Sequence, residues 1–270
     1  MGLNKVSPNN ITPNHVSPSP PNLLDMSGKC ALITGASKGI GRGLANAFAA
    51  QGADIVAVAR DETGLEEVRL EVEAVGRRCE TIRADLASSA DVEALGAQAE
   101  ALNVHILLNN AGVSYPQSAL TTSLEAWDKT FAVNVRATFF LAQAFGKPML
   151  GRGWGRIVNI SSQAGLIALE DHAAYCASKG ALEMMSKVLA LEWASGGVTV
   201  NCVAPTVIST PMADMAFPTP EAKAKMLSRI PVGRFGEIHE VAVAALFLAS
   251  EGAAMITGDT LKVDGGWTVT

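Results

Sequence analysis

The sequence has few cysteines, and they form no pattern. Cys30, Cys79, Cys176 and Cys202 are far apart and include no CxxC pair, whereas disulfide and zinc frameworks need recurring, closely spaced cysteines. We therefore predict no metal site and four reduced thiols that serve as small core residues. Reduced thiols are typical of a cytoplasmic protein.

An excess of basic charge is also missing. The 270 residues include 21 lysines and arginines against 26 aspartates and glutamates, a net charge of −5. A nucleic-acid-binding protein needs a basic stripe to contact phosphates, and the sequence has none. We predict no nucleic-acid partner.

Long apolar runs are absent as well. The strongest, VAVAALFLAS from Val241, is far shorter than the roughly 20 residues that span a bilayer. We expect a soluble protein with no membrane partner. Residues 1–25 are rich in proline, asparagine and serine and lack the apolar core of a signal peptide. We interpret them as a flexible N-terminal extension, which could pack on a neighbouring subunit.

From Lys29 onward, short apolar runs alternate with helical patterns. The predicted strands are KCALITG, ADIVAVAR, ETIRADL, VHILLNNAG, GRIVNIS, GVTVNCVAP and TLKVDGG. One helical face is formed by Ile40, Leu44 and Phe48, and the next by Leu65, Val68, Val72 and Val75. The alternation predicts an α/β fold with a doubly wound, Rossmann-type parallel sheet in a single domain over residues 26–270. The long connection over residues 206–236 is predicted to be a substrate lid.

A glycine-rich turn follows the first predicted strand. In LITGASKGIG, Gly35, Gly39 and Gly41 form the pattern TGxxxGxG. A turn from strand to helix directs backbone N–H groups and the positive helix end toward one point, which favours a phosphate. We predict that this turn binds a dinucleotide through its glycines and through Ser37, Lys38 and Ile40. A plain tight turn is the alternative.

The end of the second strand indicates which dinucleotide is bound. Ala59 occupies the position where an acidic residue would bond the ribose of NAD, and Arg60 follows it. With Lys38 in the turn, Arg60 favours the 2′-phosphate, so we predict a preference for NADP(H), with NAD(H) possible. Asp61 leaves an alternative open, because it could pair with Arg60 or bond a ribose hydroxyl.

A tyrosine and a lysine lie four residues apart in YCASK, where Tyr175 and Lys179 share one helical face. A free phenol has a pKa of about 10. We expect the adjacent ammonium to lower that pKa and make Tyr175 a usable acid and base.

With these motifs in place, the chain from about Gly28 to Thr270 resembles the short-chain dehydrogenase/reductase family in its classical form. The matching segments are TGASKGIG, NNAG, the asparagine of FAVNV, NISS, YCASK and VAPTVIST. The resemblance implies that Tyr175 is the acid and base and that Lys179 lowers its pKa and bonds the nicotinamide ribose. It also implies that Ser162 holds the substrate oxygen and that Asn134 positions a water next to Lys179.

The resemblance further implies contacts to the cofactor beyond the glycine turn. Asp85 and Leu86 would lie around the adenine, and Asn110, Ala111 and Gly112 beside the adenosine ribose. Pro205, Ile208 and Thr210 would lie near the carboxamide. The usual Pro-Gly after the sixth strand is Pro205-Thr206 here, a departure that concerns the geometry of this loop.

Taken together, the motifs predict an oxidoreductase that interconverts a small carbonyl compound, such as a ketose, and its alcohol. VAVARDETGL, ALEMMSKVLALEW and APTVIST are similar to xylulose-reductase-like members of the family. The alternatives are a 3-oxoacyl thioester reductase and a non-catalytic dinucleotide-binding regulator. Carrier-linked reductases place two arginines where this chain has Gly153 and Gly196, although Arg152 is adjacent. His172 is interpreted as a loop residue, with a substrate contact as the alternative. The apolar segment at Val241 and the closing TLKVDGGWTVT resemble those that family members pair, which implies a homotetramer.

The first prediction concerns the proton. Tyr175→Phe should abolish turnover and leave the affinity for the dinucleotide nearly unchanged, because it removes the transferable proton but keeps the ring. Lys179→Ala should impair both. Steady-state rates and cofactor titration would measure these effects, and substantial activity in the phenylalanine variant would contradict the assigned role.

Overall fold

Seven parallel strands form one sheet in the computed structural model, which describes residues 22–210, 213, 217 and 219–269. The strands are β1 Cys30–Thr34, β2 Asp54–Ala59, β3 Cys79–Arg83, β4 Ile106–Asn109, β5 Gly155–Ile160, β6 Val198–Pro205 and β7 Thr260–Val263. Their order in the sheet is β3-β2-β1-β4-β5-β6-β7. The order reverses between β1 and β4, so the predicted doubly wound Rossmann arrangement is confirmed.

Helices connect the strands and cover both faces of the sheet. The described helices are α1 Gly39–Ala50, α2 Glu62–Ala74, α3 Ser89–Gly96, α4 Ala99–Leu102, α5 Leu124–Phe131, α6 Thr138–Gly151, α7 Ala173–Trp193, α8 Pro220–Leu227 and α9 Ile238–Ala249. A π-helical turn, Ala132–Ala137, joins α5 to α6. None of these helices combines the length and apolar character that crossing a membrane would need.

Two apolar cores lie on opposite faces of the sheet. One packs α1, α2 and α9 against side chains such as Ile33, Ile55 and Ile106. The other packs α3, α6 and α7 against Leu32, Leu107 and Ile157. Because successive strand residues point to opposite faces, burial on both sides requires nearly continuous apolar runs, which made the strands readable in the sequence.

The helical faces were predicted well except at their ends. Leu44, Phe48, Leu65, Val68 and Val72 are buried, as the periodicity predicts. Val75 is 55% exposed, because α2 ends at Ala74 and Val75 caps the helix instead of continuing its apolar face.

The cysteine prediction was correct only in part. Cys202 is buried, whereas the other three cysteines are half-buried. All four are free thiols. The three half-buried cysteines lie where strands begin or where a helix faces the site, positions that composition does not reveal.

Two predicted segments are only partly described by the structure. Of the extension at residues 1–25, residues 1–21 lie outside the described residues. Within the predicted lid, residues 211, 212, 214–216 and 218 lie outside them as well. The described ends of the lid are joined, because Ser209 N donates to Gly236 O at 2.8 Å and Gly236 N donates to Val207 O at 2.9 Å.

Two glycines with almost the same backbone test how closely the α7–β6 connection packs. Gly197 has φ +77° and Gly76 has φ +78°. A Cβ on Gly197 would lie 2.1 Å from Gly153 O, whereas one on Gly76 would meet nothing within 4 Å. Gly76→Ala should lower the free energy of unfolding by about 1–2 kcal/mol through its left-handed backbone alone.

Gly197→Ala should lower the free energy of unfolding by about 1–3 kcal/mol more than Gly76→Ala does, because the Gly153 backbone must move to make room for the new Cβ. Urea denaturation of both variants would measure the difference. Equal losses would show that the connection does not pack as described.

Candidate active site

The turn between β1 and α1 forms an uncapped helix N-terminus. Gly35 and Gly39 have φ values of +67° and +56°, which favour glycine. A Cβ on Gly41 would lie 2.1 Å from Gly35 O, so only glycine fits there. The N-cap residue, Lys38, makes no side-chain cap, and the first turn of α1 contains no acidic residue. The free N–H groups of α1 therefore suit an anion.

The loop after β4 is bonded to this turn. Thr34 Oγ1 accepts hydrogen bonds from Asn110 N and Ala111 N, both at 3.0 Å. Asn110 Nδ2 donates to Thr34 O at 2.9 Å. A Cβ on Gly112 would lie 3.6 Å from Lys179 Nζ. The loop thus connects the glycine turn at one end to the buried lysine at the other.

Two basic side chains next to the turn have no partner in the part of the chain that the structure describes. Lys38 and Arg60 are exposed and make no ion pair or side-chain hydrogen bond with any described residue. The start of α2 packs on the turn, since a Cβ on Gly64 would lie 2.8 Å from Ser37 Cβ. This contact brings the Arg60 end of β2 beside Ser37 and Lys38. Among the described residues no ion pair joins Arg60 to Asp61, and both alternatives for Asp61 stay predictions.

The segment after β6 lies across from the turn. Pro205 ends β6, and Ile208 forms an isolated bridge with Gly236. A Cβ on Gly39 would lie 3.8 Å from Thr210 Cγ2. The start of α1 therefore faces the Thr210 side chain, and the loop at Gly112 faces Asn134 and Lys179.

The predicted adenine contacts lie at the ends of neighbouring strands. Asp85 and Leu86 follow β3, whose last residue, Arg83, is aligned with Ala59 of β2. Asp85 Oδ1 accepts a hydrogen bond from Ala87 N at 3.0 Å, and Leu86 is buried. A helix end that suits an anion and two cations without a partner among the described residues fit the phosphates of a dinucleotide. Among the described residues, no group of three or more histidine, cysteine, aspartate or glutamate side chains could hold a metal ion.

Asn134 lies inside the π-helical turn and is almost fully buried. Its Oδ1 accepts from Val113 N at 2.9 Å, and its Nδ2 donates to Val113 O at 3.0 Å and to Ser178 Oγ at 3.0 Å. A π-helical turn is rare and is frequent at functional sites. Here it inserts Asn134 between the loop after β4 and the helix α7.

Ser162 and Tyr175 meet at the end of β5. Ser162 follows the strand by two residues, its Oγ accepts a hydrogen bond from Ala164 N at 3.2 Å, and its hydroxyl is close enough to the Tyr175 phenol to favour the ionised form of that phenol. Tyr175 lies in the first turn of α7. The pair presents two hydroxyl groups side by side, which is the arrangement that grips and protonates one oxygen atom.

Lys179 lies on the same face of α7 and is 3% exposed. Its ammonium donates to Ile160 O at 2.7 Å and lies 5.7 Å from the centroid of the Tyr175 ring. Burial lowers the pKa of Lys179 to about 8, against the influence of Cys202 and Glu183. The four predicted catalytic residues, Asn134, Ser162, Tyr175 and Lys179, are thus brought together.

The expected direction of the tyrosine pKa was wrong for the protein without cofactor. Burial raises the pKa of Tyr175, and the nearby Ser162 hydroxyl opposes that rise only in part. The Lys179 ammonium is hydrogen-bonded to Ile160 O of β5. Its charge does not set the direction in which the pKa of Tyr175 shifts. A phenol with a raised pKa keeps its proton at neutral pH and is therefore ready to act as an acid.

Three side chains that the sequence analysis missed support these residues. Thr34 bonds two amides of the loop after β4. Ser178 accepts from Asn134 and donates to Tyr175 O at 2.7 Å. Glu183, one turn beyond Lys179, accepts from Ser161 Oγ at 2.8 Å. The helical spacing of four between Lys179 and Glu183 was the available signal.

The site and fold agree with comparisons to known proteins. Residues 35–268 match the family described as Enoyl-(Acyl carrier protein) reductase. D-threitol dehydrogenase of Mycolicibacterium smegmatis is 44% identical over 90% of this chain and 94% of its own length. L-xylulose reductase of Bos taurus is 42% identical over 92% and 99%, respectively.

The chain belongs to the short-chain dehydrogenase/reductase family. The structure agrees, because a gluconate 5-dehydrogenase from Burkholderia cenocepacia, solved with NADP and tartrate, superimposes with a TM-score of 0.87. It is 33% identical, and the match covers 92% of this chain and 98% of that one. The predicted resemblance to the classical form of the family, with sugar and polyol members, is thereby confirmed.

The low pKa of Lys179 can be measured without substrate. In two-dimensional NMR of lysine side chains, the signal that disappears in Lys179→Met should titrate with a midpoint of about 8, because burial disfavours the ammonium. A midpoint near the ordinary lysine value of about 10.4 would contradict the burial described here.

Proposed function

We propose that this chain is an NADP(H)-dependent oxidoreductase that interconverts a ketose, or a similar small ketone, and the corresponding polyol or secondary alcohol. The observation that carries the proposal is that the Ser162 and Tyr175 hydroxyls lie close together beside the buried Lys179 ammonium. The names of the relatives support the sugar and polyol class of substrate.

In reduction, Ser162 donates a hydrogen bond to the substrate carbonyl oxygen, and Tyr175 transfers its phenolic proton to the same oxygen. The nicotinamide dinucleotide, when bound, supplies the hydride in reduction and takes it up in oxidation. In oxidation, Tyr175 accepts the alcohol proton instead. The charged Lys179 stabilises the Tyr175 phenolate, which is left by proton transfer in reduction and accepts the alcohol proton in oxidation, and Lys179 would also bind the ribose of the cofactor. Asn134 holds α7 and the loop after β4 in register for these steps and positions a water next to Lys179.

The cofactor preference rests on the two unpaired cations. A 2′-phosphate needs charge-assisted hydrogen bonds, and Lys38 and Arg60 have no other partner among the described residues. The structure of the Burkholderia relative contains NADP, which supports the same assignment. NAD(H) remains the alternative cofactor, because the Asp61 carboxylate is exposed and could accept a ribose hydroxyl.

An acceptor atom near the hydroxyl pair favours a substrate rich in hydroxyl groups. His172 packs edge-on to Tyr175, with ring centroids 6.2 Å apart. Its Nδ1 lies 2.6 Å from Glu170 O, which can only accept, so Nδ1 donates and Nε2 is left to accept in that tautomer. A polyol hydroxyl would donate to Nε2.

A carrier-bound thioester is a poorer substrate for this chain. Arg152, the basic residue next to the positions used by carrier-linked reductases, donates to Trp154 O at 3.1 Å and to Asn103 Oδ1 at 3.1 Å, and also to Val104 O. Its guanidinium is therefore already hydrogen-bonded to acceptors of its own chain. A non-catalytic regulator would not need all four of the residues that meet at the site.

We also propose a homotetramer in the cytoplasm. Val243 and Phe247 of α9 are 53% and 38% exposed, and Leu191 of α7 is 85% exposed. These helices cover opposite faces of the sheet, so their apolar surfaces suit two different two-fold axes. The four free thiols support a reducing compartment. Light scattering at micromolar concentration would measure the assembly.

Arg60→Asp tests the cofactor preference. It should weaken NADPH binding by about 3 kcal/mol, roughly a hundredfold in Kd, because a charge-assisted bond is lost and a repulsion is gained. NADH, which lacks the 2′-phosphate, should bind the variant almost as it binds the wild type. Calorimetric titration of both nucleotides would measure this, with Asp61→Asn as the companion variant. Tighter binding of NADH than NADPH by the wild type would overturn the preference.

A substrate panel tests the reaction itself. NADPH consumption measured side by side on ketoses, diketones, aromatic ketones and an acetoacetyl thioester should give the highest kcat/KM for a ketose. A higher value for the thioester would replace the polyol assignment with the thioester alternative. Tight cofactor binding with no turnover on any member would favour the regulator.

A further inference from the structure

Glu183 is a buried carboxylate that the proposed mechanism does not use. It lies on α7, one turn beyond Lys179, and is 7% exposed. Its Oε1 accepts a hydrogen bond from Ser161 Oγ at 2.8 Å. Ser161 immediately precedes Ser162, so this bond acts on the end of β5 that carries the substrate-binding hydroxyl. Burying a charged carboxylate costs free energy. A buried carboxylate beside an active site therefore indicates a functional role.

The same carboxylate marks where the turn after β5 packs on α7. A Cβ on Gly165 would lie 2.6 Å from Glu183 Oε1 and 3.0 Å from the carbonyl carbon of Lys179. Ser162 is therefore fixed from both sides. Ser161 is bonded to Glu183 on one side, and Gly165 is pressed against Lys179 and Glu183 on the other.

Few charged groups face Lys179 and Glu183. Lys187 lies on α7 itself, and the Cys202 thiol faces them from β6. Burial raises the pKa of Cys202 to about 12, so this thiol is neutral at physiological pH. Burial also raises the pKa of Glu183, whereas the Ser161 bond and the two lysines favour its ionised form. Of the acidic groups that act on Lys179, Glu183 is thus the one that can supply negative charge.

We propose that Glu183 is a positioning residue whose carboxylate keeps Lys179 charged and fixes the Ser161–Ser162 strand end against α7. This inference rests on the proposed function, since it assigns a role toward the residues that carry that function. Lys179 donates to Ile160 O and Glu183 accepts from Ser161. The two side chains therefore attach α7 to the end of β5 through bonds of opposite polarity.

Glu183→Gln tests the charge of the Glu183 side chain and leaves its packing unchanged. The amide keeps the size of the side chain and an oxygen that accepts from Ser161, but it removes the negative charge. The midpoint of the Lys179 NMR signal should fall by roughly 0.5–1 pH unit in the cofactor-free protein. The pH at which NADPH affinity declines should fall by the same amount. Glu192→Gln is the matched control, because Glu192 lies on the same helix but is exposed, and it should move neither midpoint.

Ser161→Ala tests the contact between the end of β5 and Glu183 and leaves the Glu183 carboxylate in place. It removes the bond to Glu183, so it should lower kcat about tenfold or more without lowering the Lys179 midpoint. An unchanged midpoint in Glu183→Gln, or a wild-type kcat in Ser161→Ala, would overturn the inference. Because the midpoint is measured without substrate, failure of the wild type on every substrate would refute the proposed function and leave this test intact.

Discussion

The bond from the Lys179 ammonium to Ile160 O is the interaction on which the site depends. Ile160 is the last residue of β5, so the acceptor of this bond lies at the end of the sheet where the parallel strands end. A buried ammonium requires a hydrogen-bond acceptor, and this bond fixes α7 relative to the sheet. Tyr175 is one turn before Lys179, and Ser162 is two residues beyond Ile160. One contact therefore sets the distance between the acid and the group that holds the substrate oxygen.

Further buried hydrogen bonds connect α7 to the sheet below the contact between Lys179 and Ile160. Asn109 Nδ2 donates to Asn159 Oδ1 at 2.9 Å, and Asn159 Nδ2 donates to Ser186 Oγ at 2.8 Å. These bonds join β4, β5 and α7 in a region that is otherwise apolar. Buried polar groups that are hydrogen-bonded specify one arrangement, because any shift would leave them unpaired. The sheet and the helix are thus held in one register directly below the reactive groups.

Much of this architecture was predictable from local patterns, and the rest was not for identifiable reasons. The five inner strands, β1, β2, β4, β5 and β6, were readable because each is buried on both faces, whereas the edge strands β3 and β7 are only partly buried. The four catalytic residues were found from the spacing of their motifs. The raised pKa of Tyr175 was missed, because sequence spacing places the lysine near the phenol but does not show how far burial disfavours the phenolate. Glu183 and Ser178 were missed because their partners, Ser161 and Asn134, are distant in the chain.

The strand order also determines when the two halves of the sheet can join during synthesis. The central pair aligns Ala31 of β1 with Ile106 of β4, while β2 and β3 come from the residues between them. At roughly 5–20 residues per second, translation leaves β1 without its second neighbour for several seconds. A nascent chain therefore has an open apolar edge on its first strand until β4 emerges from the ribosome, and a chaperone acting in that interval would find its binding site there.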